Sequence, residues 1–260
     1  MTKKTQSLPI VFYGAAGWFG GQFGCTNCVG VFPNETDAVL FDMGTGAGKI
    51  DRDNLRGKNL TLVLSHLHLD HCYGLHILPL FQPASLTILI HEDLKPHLET
   101  LFSFPFMRSG HAQEFPVHIR AVRDSRVDCA GFDLKTRALQ HNTPVIGARL
   151  QCDDASVSYC VDSVLCDNLL ELARDCDVLI IESGSIEEGK TKGAHLGLSD
   201  LRTVLRQTRA RKVIVTHFSP VNYPNLESRE RLLSALEGTH GEIKMAYDGL
   251  TVGSPAMGRE

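Results

Sequence analysis

The sequence predicts an α/β protein with two β-sheets and helices outside them. Short runs rich in Val, Ile, Leu and Thr, bounded by Gly, Asp, Asn or Pro, recur along all 260 residues. Stretches of 3.6-type apolar spacing fall between some of these runs. In both halves, loosely, strands come first and then alternate with helices. With 43% apolar and 22% charged residues, the composition is that of a globular chain, long enough to bury a full core without staples.

The elements follow in order. Pro9–Tyr13 is an apolar strand closed by Gly14, and Ala38–Asp42 is a second that runs into glycines. Leu60–Ser65, Leu86–His91 and His118–Val122 continue the first set of strands. A short helix over His71–Ile77 should end before Pro79, which cannot continue it, and Asp93–Phe102 has helical spacing. The second set begins with strands Asp133–Gln140, Gly147–Cys152 and Ser156–Val161. Helices Val164–Asp175, Ser199–Arg209 and Leu226–Leu236 then alternate with strands Asp177–Glu182, Lys212–His217 and Glu242–Tyr247. Ser199 is the expected N-cap of its helix. No linker, charge run or low-complexity stretch divides the chain, so one domain over 1–260 is expected.

Composition also excludes classes. Twenty-six basic against 30 acidic residues give a net charge of −4, which disfavours nucleic acid as a partner because phosphate binding needs a clustered basic excess. The eight cysteines are too dispersed for a disulfide scaffold and read as reduced thiols. The apolar run Leu8–Tyr13 is too short for a secretory signal, and nothing approaches the ~18–20 apolar residues of a membrane span. A cytoplasmic protein without a membrane partner is expected.

The informative segment is Ser65–His71, S-H-L-H-L-D-H. His66 and His68 lie two apart just after an apolar strand, so in extended backbone they point to one side, where two imidazoles can chelate one cation. Asp70 and His71 follow at the turn and can face a second. Three further candidates stand at the ends of predicted strands: His141, Asp162 and His217. Singly, Asp162 reads equally well as a helix cap, and the two histidines as turn residues. Together they make seven candidates, enough for a dinuclear site. Mixed imidazole and carboxylate donors suit Zn²⁺, with Mn²⁺ or Fe as alternatives, better than Ca²⁺.

This set resembles the metallo-β-lactamase-fold hydrolases, in particular their phosphodiesterase and tRNase Z branch. The resemblance runs from the glycine-rich start (Gly14 to Gly30) through Phe41-Asp42-Met43-Gly44-Thr45-Gly46 to Tyr247-Asp248-Gly249. It implies a four-layer αββα sandwich with two divalent transition metals at the sheet edge. It assigns His66, His68 and His141 to one metal, Asp70, His71 and His217 to the other, and Asp162 to both. It also implies that Glu182 orients His195, which protonates the leaving group. A His poised near neutral pH suits that task.

The function expected on this basis is hydrolysis of a small anionic substrate, first a phosphodiester or cyclic nucleotide, by attack of a metal-bridging hydroxide, with Asp70 orienting the nucleophile. Alternatives are a lactone, ester or thioester hydrolase on the same metals, an RNA 3′-end nuclease, and a metal-binding accessory protein. Leu196 and Gly197 after His195, and Cys160 and Val161 before Asp162, depart from the branch pattern. The 21 positions from His141 to Asp162 leave no room for the branch's RNA-gripping arm.

Other signals are discounted. Gly44–Lys49 looks like a phosphate loop, but Met43 and Ile50 stand where that pattern needs Gly and Ser or Thr. Cys25 and Cys28 form a lone C-x-x-C and read as ordinary thiols ahead of a structural zinc. Arg202, Arg206 and Arg209 read as a solvated helix face. The aromatic stretch Leu101–Phe106, with Phe115, is expected in the core or in an interface, a homodimer contact included, ahead of substrate stacking.

Overall fold

The apolar runs become strands whose two faces are buried against different partners. The computed structural model describes residues 8–22, 24–107, 115–187 and 193–253. The elements, in order, are β1 (Ile10–Gly14), β2 (Cys28–Val31), β3 (Asp37–Phe41), β4 (Asn59–Val63), α1 (Leu69–Cys72), β5 (Ser85–His91), α2 (Lys95–Leu101) and β6 (Val117–Val122). The second half holds β7 (Arg126–Cys129), β8 (Phe132–Leu139), β9 (Val145–Cys152), β10 (Ala155–Cys160), α3 (Asp167–Ala173), β11 (Val178–Glu182), α4 (Leu198–Gln207), β12 (Lys212–Thr216), α5 (Leu226–Ala235), β13 (Ile243–Met245) and β14 (Thr251–Val252).

The strands form two seven-stranded mixed sheets, in the orders β14-β1-β2-β3-β4-β5-β6 and β13-β12-β11-β10-β9-β8-β7. Each half repeats one pattern. Pairing is antiparallel up to β3 in the first sheet and up to β10 in the second, and parallel from there on. Just beyond each switch strand stands an aspartate in left-handed backbone: Asp42 at φ +57° and Asp162 at φ +52°.

Alternation within single strands sorts the layers. In β3, Val39 and Phe41 enter the core between the sheets with Phe12, Tyr159, Ile180 and Ile214, while Ala38 and Leu40 face outward into a second cluster with Leu62, Leu78 and Leu98. On the far side, Leu169, Leu201 and Leu232 of α3, α4 and α5 cover the outer face of the second sheet. Because both faces of the inner strands are covered, they read as continuous apolar runs. The result is the expected four-layer αββα sandwich. No helix among the described residues is long and apolar enough to cross a membrane.

Several local expectations need correction. The helix expected over His71–Ile77 is α-helical only at Leu69–Cys72 and continues as a 3-10 helix over Tyr73–Phe81, through Pro79. Leu75, Leu78 and Phe81, three apart and each at most 2% exposed, match the three-residue turn of that helix. Ser199 is not an N-cap: α4 is preceded by Gly197, whose N–H donates to Asp200 Oδ2 at 3.4 Å. Of the aromatic stretch, Phe115 is buried, whereas Phe104 and Phe106 are 77% and 64% exposed and lie outside the core. Arg202 donates to the Ala235 carbonyl at the end of α5, and Arg209 pairs with Asp175, so that helix face is partly tied down. The discounted Gly44–Lys49 segment needs no correction: it is a 3-10 turn, with Lys49 Nζ 2.6 Å from Asp248.

Helix α3 is held to β8 by charge. Arg137 grips both oxygens of Glu171, at 2.7 and 2.9 Å, and Lys135 pairs with the same carboxylate. The Arg137 hydrogen bond leads in holding the Glu171 pKa down, to about 2 against an ordinary 4.5. A depressed folded-state pKa gives stability that is present above the ordinary value and is lost as pH falls towards about 2. Glu171 is 41% exposed, so solvent screening limits the gain to about 1 kcal/mol. Glu171→Gln should therefore unfold at lower urea than the parent near neutral pH. The gap should close between pH 4.5 and 2; a gap independent of pH would remove the assignment.

Candidate metal centre

Strand β4 delivers the chain to the sheet edge, where Ser65 fixes its exit. The Ser65 N–H and hydroxyl donate to the two oxygens of Asp42, at 2.7 and 2.9 Å. The Ser65 carbonyl accepts from Ile146 N–H of β9 at 3.0 Å, joining the two sheets. His66 and His68 then present rings with centroids 4.5 Å apart, and Asp70 and His71 follow in α1. Gly44 lies behind this loop, where a Cβ would stand 2.1 Å from the Asp70 carbonyl oxygen.

The structure brings all seven sequence-derived candidates together. One group is His66, His68, His141 and Asp162, and a second is Asp70, His71, Asp162 and His217. A third joins Asp162 and His217 to Glu182 and His195. Within each group the ligand-type atoms lie within 4.8 Å of one another. Asp162 is the shared member: its Oδ2 stands 2.8 Å from His71 Nε2 and 3.2 Å from His66 Nε2, and its Oδ1 is 3.0 Å from His217 Nδ1. It is not a helix cap, since α3 begins five residues later. Neither Cys25 nor Cys28 belongs to such a group among the described residues.

Burial and the cluster's own charges compete in its titration. Burial works against a charged His71, but Asp42 and Asp162 outweigh it and lift its pKa well above the ordinary value. Burial and the neighbouring His71 push His66 well below its ordinary value. For Asp162, burial is outweighed by His217 and His71, which hold it well below the carboxylate range. Burial likewise opposes a charged His195, yet Glu182 and Asp162 raise its pKa to about 11. His195 Nδ1 lies 2.8 Å from Glu182 Oε2, and Glu182 Oε1 accepts the Ser163 N–H at 2.6 Å.

The residues present fit a cation. Nε2 of His66 and Oδ1 of Asp162 are buried without a hydrogen-bond partner, and Nε2 of His71 faces Nε2 of His217 at 3.1 Å. Buried polar atoms of this kind are otherwise costly. Nitrogen and carboxylate oxygen are the donors of Zn²⁺, Mn²⁺ and Fe sites. The cluster opens into a cleft of about 820 Å³ bordered by Trp18, Leu69, Asn142, His195, Val221 and Asn222.

The sequence offers Asp42 only as the end of a strand that runs into glycines, and it does not single out Tyr159. The Asp42 carboxylate is fully buried and lies 2.7 Å from His71 Nδ1. It also accepts the Tyr159 hydroxyl at 2.6 Å. A carboxylate behind His71 fixes the ring's orientation and tautomer. The available signal was an acidic residue ending the wholly apolar run Ala38–Phe41, because a buried carboxylate there requires partners.

A paired-sheet sandwich with imidazoles and carboxylates converging at one sheet edge defines the metallo-β-lactamase hydrolase fold. A family model described as "Beta-lactamase superfamily domain" matches residues 39–218, and the chain belongs to that superfamily. It is 28% identical to a ribonuclease Z of Nostoc sp., with 86% of this chain and 87% of that protein covered. Among solved structures, the metallo-beta-lactamase fold protein YhfI from Bacillus subtilis aligns at TM-score 0.75 and 17% identity, over 95% of this chain and 99% of that one. A diphosphatase from the PhnP family aligns at TM-score 0.73 and 18% identity, over 95% and 98%.

Proposed function

We propose that this protein hydrolyses small phosphodiesters, cyclic nucleotides among them, with two divalent transition cations, Zn²⁺ first and Mn²⁺ or Fe as alternatives. His66, His68 and His141 would hold one cation, Asp70, His71 and His217 the other, and Asp162 both. When bound, such cations supply Lewis-acid charge neutralisation and lower the pKa of water towards neutrality. The chain's own groups do the rest. Asp70, whose Oδ2 accepts the Trp18 N–H at 2.7 Å, orients the attacking water. His195 is the proton donor: its Nδ1 is engaged by Glu182, which leaves Nε2 for the departing alkoxide oxygen.

The single observation that carries this reading is the His195–Glu182 pair beside the cluster. A poor alkoxide leaving group needs a proton, and an imidazole whose Nδ1 is held by a carboxylate is oriented to deliver one from Nε2. His141 and Asp162 are joined by little more than the β9–β10 hairpin, which favours a small substrate over pre-tRNA.

Protein purified without chelator should carry about two transition ions per chain. Chelation should cut turnover of bis-p-nitrophenyl phosphate at least about a hundredfold, and added Zn²⁺ or Mn²⁺ should restore it. Turnover of lactones or thioesters alone would move the assignment to an ester-type hydrolase. Metal binding with no turnover in any class would leave an accessory protein.

A further inference from the structure

The segment between β1 and β2 turns abruptly at Trp18. The Phe19 N–H returns to the Gly17 carbonyl at 2.9 Å, and Trp18 sits at φ +66°. A bulky residue in the left-handed region is strained. Core packing does not offset that strain, because Trp18 is 67% exposed. The turn is instead clamped onto the cluster. Trp18 N–H donates to Asp70, Gly17 N–H donates to the Phe218 carbonyl at 3.1 Å, and a Cβ on Gly17 would lie 2.6 Å from the His217 ring. Phe19 packs edge-on against the indole at 5.5 Å.

The strained turn thus sets an indole at the mouth of the charged cleft. Leu69 and Val221 stand there with it, 70% and 60% exposed. Asn142 and Asn222 border the same cleft and add amide groups that can hydrogen-bond a polar ring edge. Its volume, about 820 Å³, suits one nucleotide-sized ligand.

We propose that Trp18 is a stacking platform for a heteroaromatic base of the substrate, so that the substrate class is a nucleotide diester. The inference rests on the phosphodiesterase reading above and adds the determinant that separates nucleotide from non-nucleotide diesters. Indole faces stack on any base, so the preference should be for a base as such and should tolerate its identity.

Trp18 is the sole tryptophan of the chain, so its emission reports on this position alone. Titration of the full-length, metal-replete protein with AMP should quench that emission, and ribose 5-phosphate, which lacks the base, should not. Trp18→Ala should weaken AMP binding in calorimetry by roughly tenfold, while Trp18→Phe should stay within about threefold of the parent. Equal quenching by both ligands, no quenching by AMP, or AMP affinity unchanged in Trp18→Ala would overturn the proposal. So would an emission that shifts to the blue with rising protein concentration before ligand is added, which would assign Trp18 to a contact between copies. The readout is independent of turnover. Quenching by AMP in a protein that cleaves no phosphodiester keeps the platform and removes the hydrolase reading. Cleavage of bis-p-nitrophenyl phosphate without quenching does the reverse.

Discussion

Replacing Asp162 by alanine is expected to cut turnover by at least about a thousandfold and to lower bound transition metal from about two ions per chain to one or fewer. Asp162 is the one residue common to all three groups of ligand-type side chains. Its two oxygens lie within 2.8–3.4 Å of nitrogens on His66, His71, His195 and His217. Without it, only Asp70 stands between His71 and His217, His66 loses its carboxylate partner, and two cations would repel across the gap. Asp162→Asn keeps the side chain's size and removes its charge, which separates a ligand's role from a space-filling one. Metal content by mass spectrometry, read beside circular dichroism to establish folding, decides the matter. A folded Asp162→Ala protein with two ions and full turnover would end the shared-ligand assignment.

The second large effect is expected at His195. General-acid catalysis contributes roughly 10²–10⁴-fold. His195→Ala should therefore slow diesters with alkyl leaving groups about a thousandfold, but p-nitrophenyl diesters less than about tenfold, because p-nitrophenolate departs without a proton. Glu182→Gln tests the partner. It removes the charge that leads in raising the His195 pKa, so the rate should begin to fall at lower pH on the alkaline side than in the parent. Equal losses on both substrate types would show that His195 only shapes the pocket.

How far the sequence could be read depended on range. The Ser65–His71 segment was legible because its chemistry is local: two imidazoles two apart on an extended chain share a side, and the turn after them is written in the next residues. His141, Asp162 and His217 were legible as ligand-type residues at the ends of apolar strands. Their convergence came from resemblance, because spacing alone cannot fix the order of strands in a sheet. β2, β7 and β14 went unread for physical reasons. Cys28–Val31 is four residues inside a glycine-rich segment, Arg126–Cys129 has polar alternate positions, and Thr251–Val252 is two residues that pair only because β1 offers an edge. The role of Asp42 is not legible locally because its partner, Tyr159, lies 117 residues away on the other sheet.

The repeated strand pattern carries a consequence for His71. Asp42 and Asp162 occupy corresponding places in the two halves, and His71 lies between them, with Nδ1 2.7 Å from one and Nε2 2.8 Å from the other. In effect the chain is a tandem pair folded face to face, and its reactive pocket belongs to the seam. Either half produced alone would carry only a fraction of the set: His66, His68, Asp70 and His71 in the first, and His141, Asp162, His195 and His217 in the second. On the proposed assignment, capture of two cations would therefore report on whether the halves have docked, and the set is complete only once the chain has run past β12 to His217.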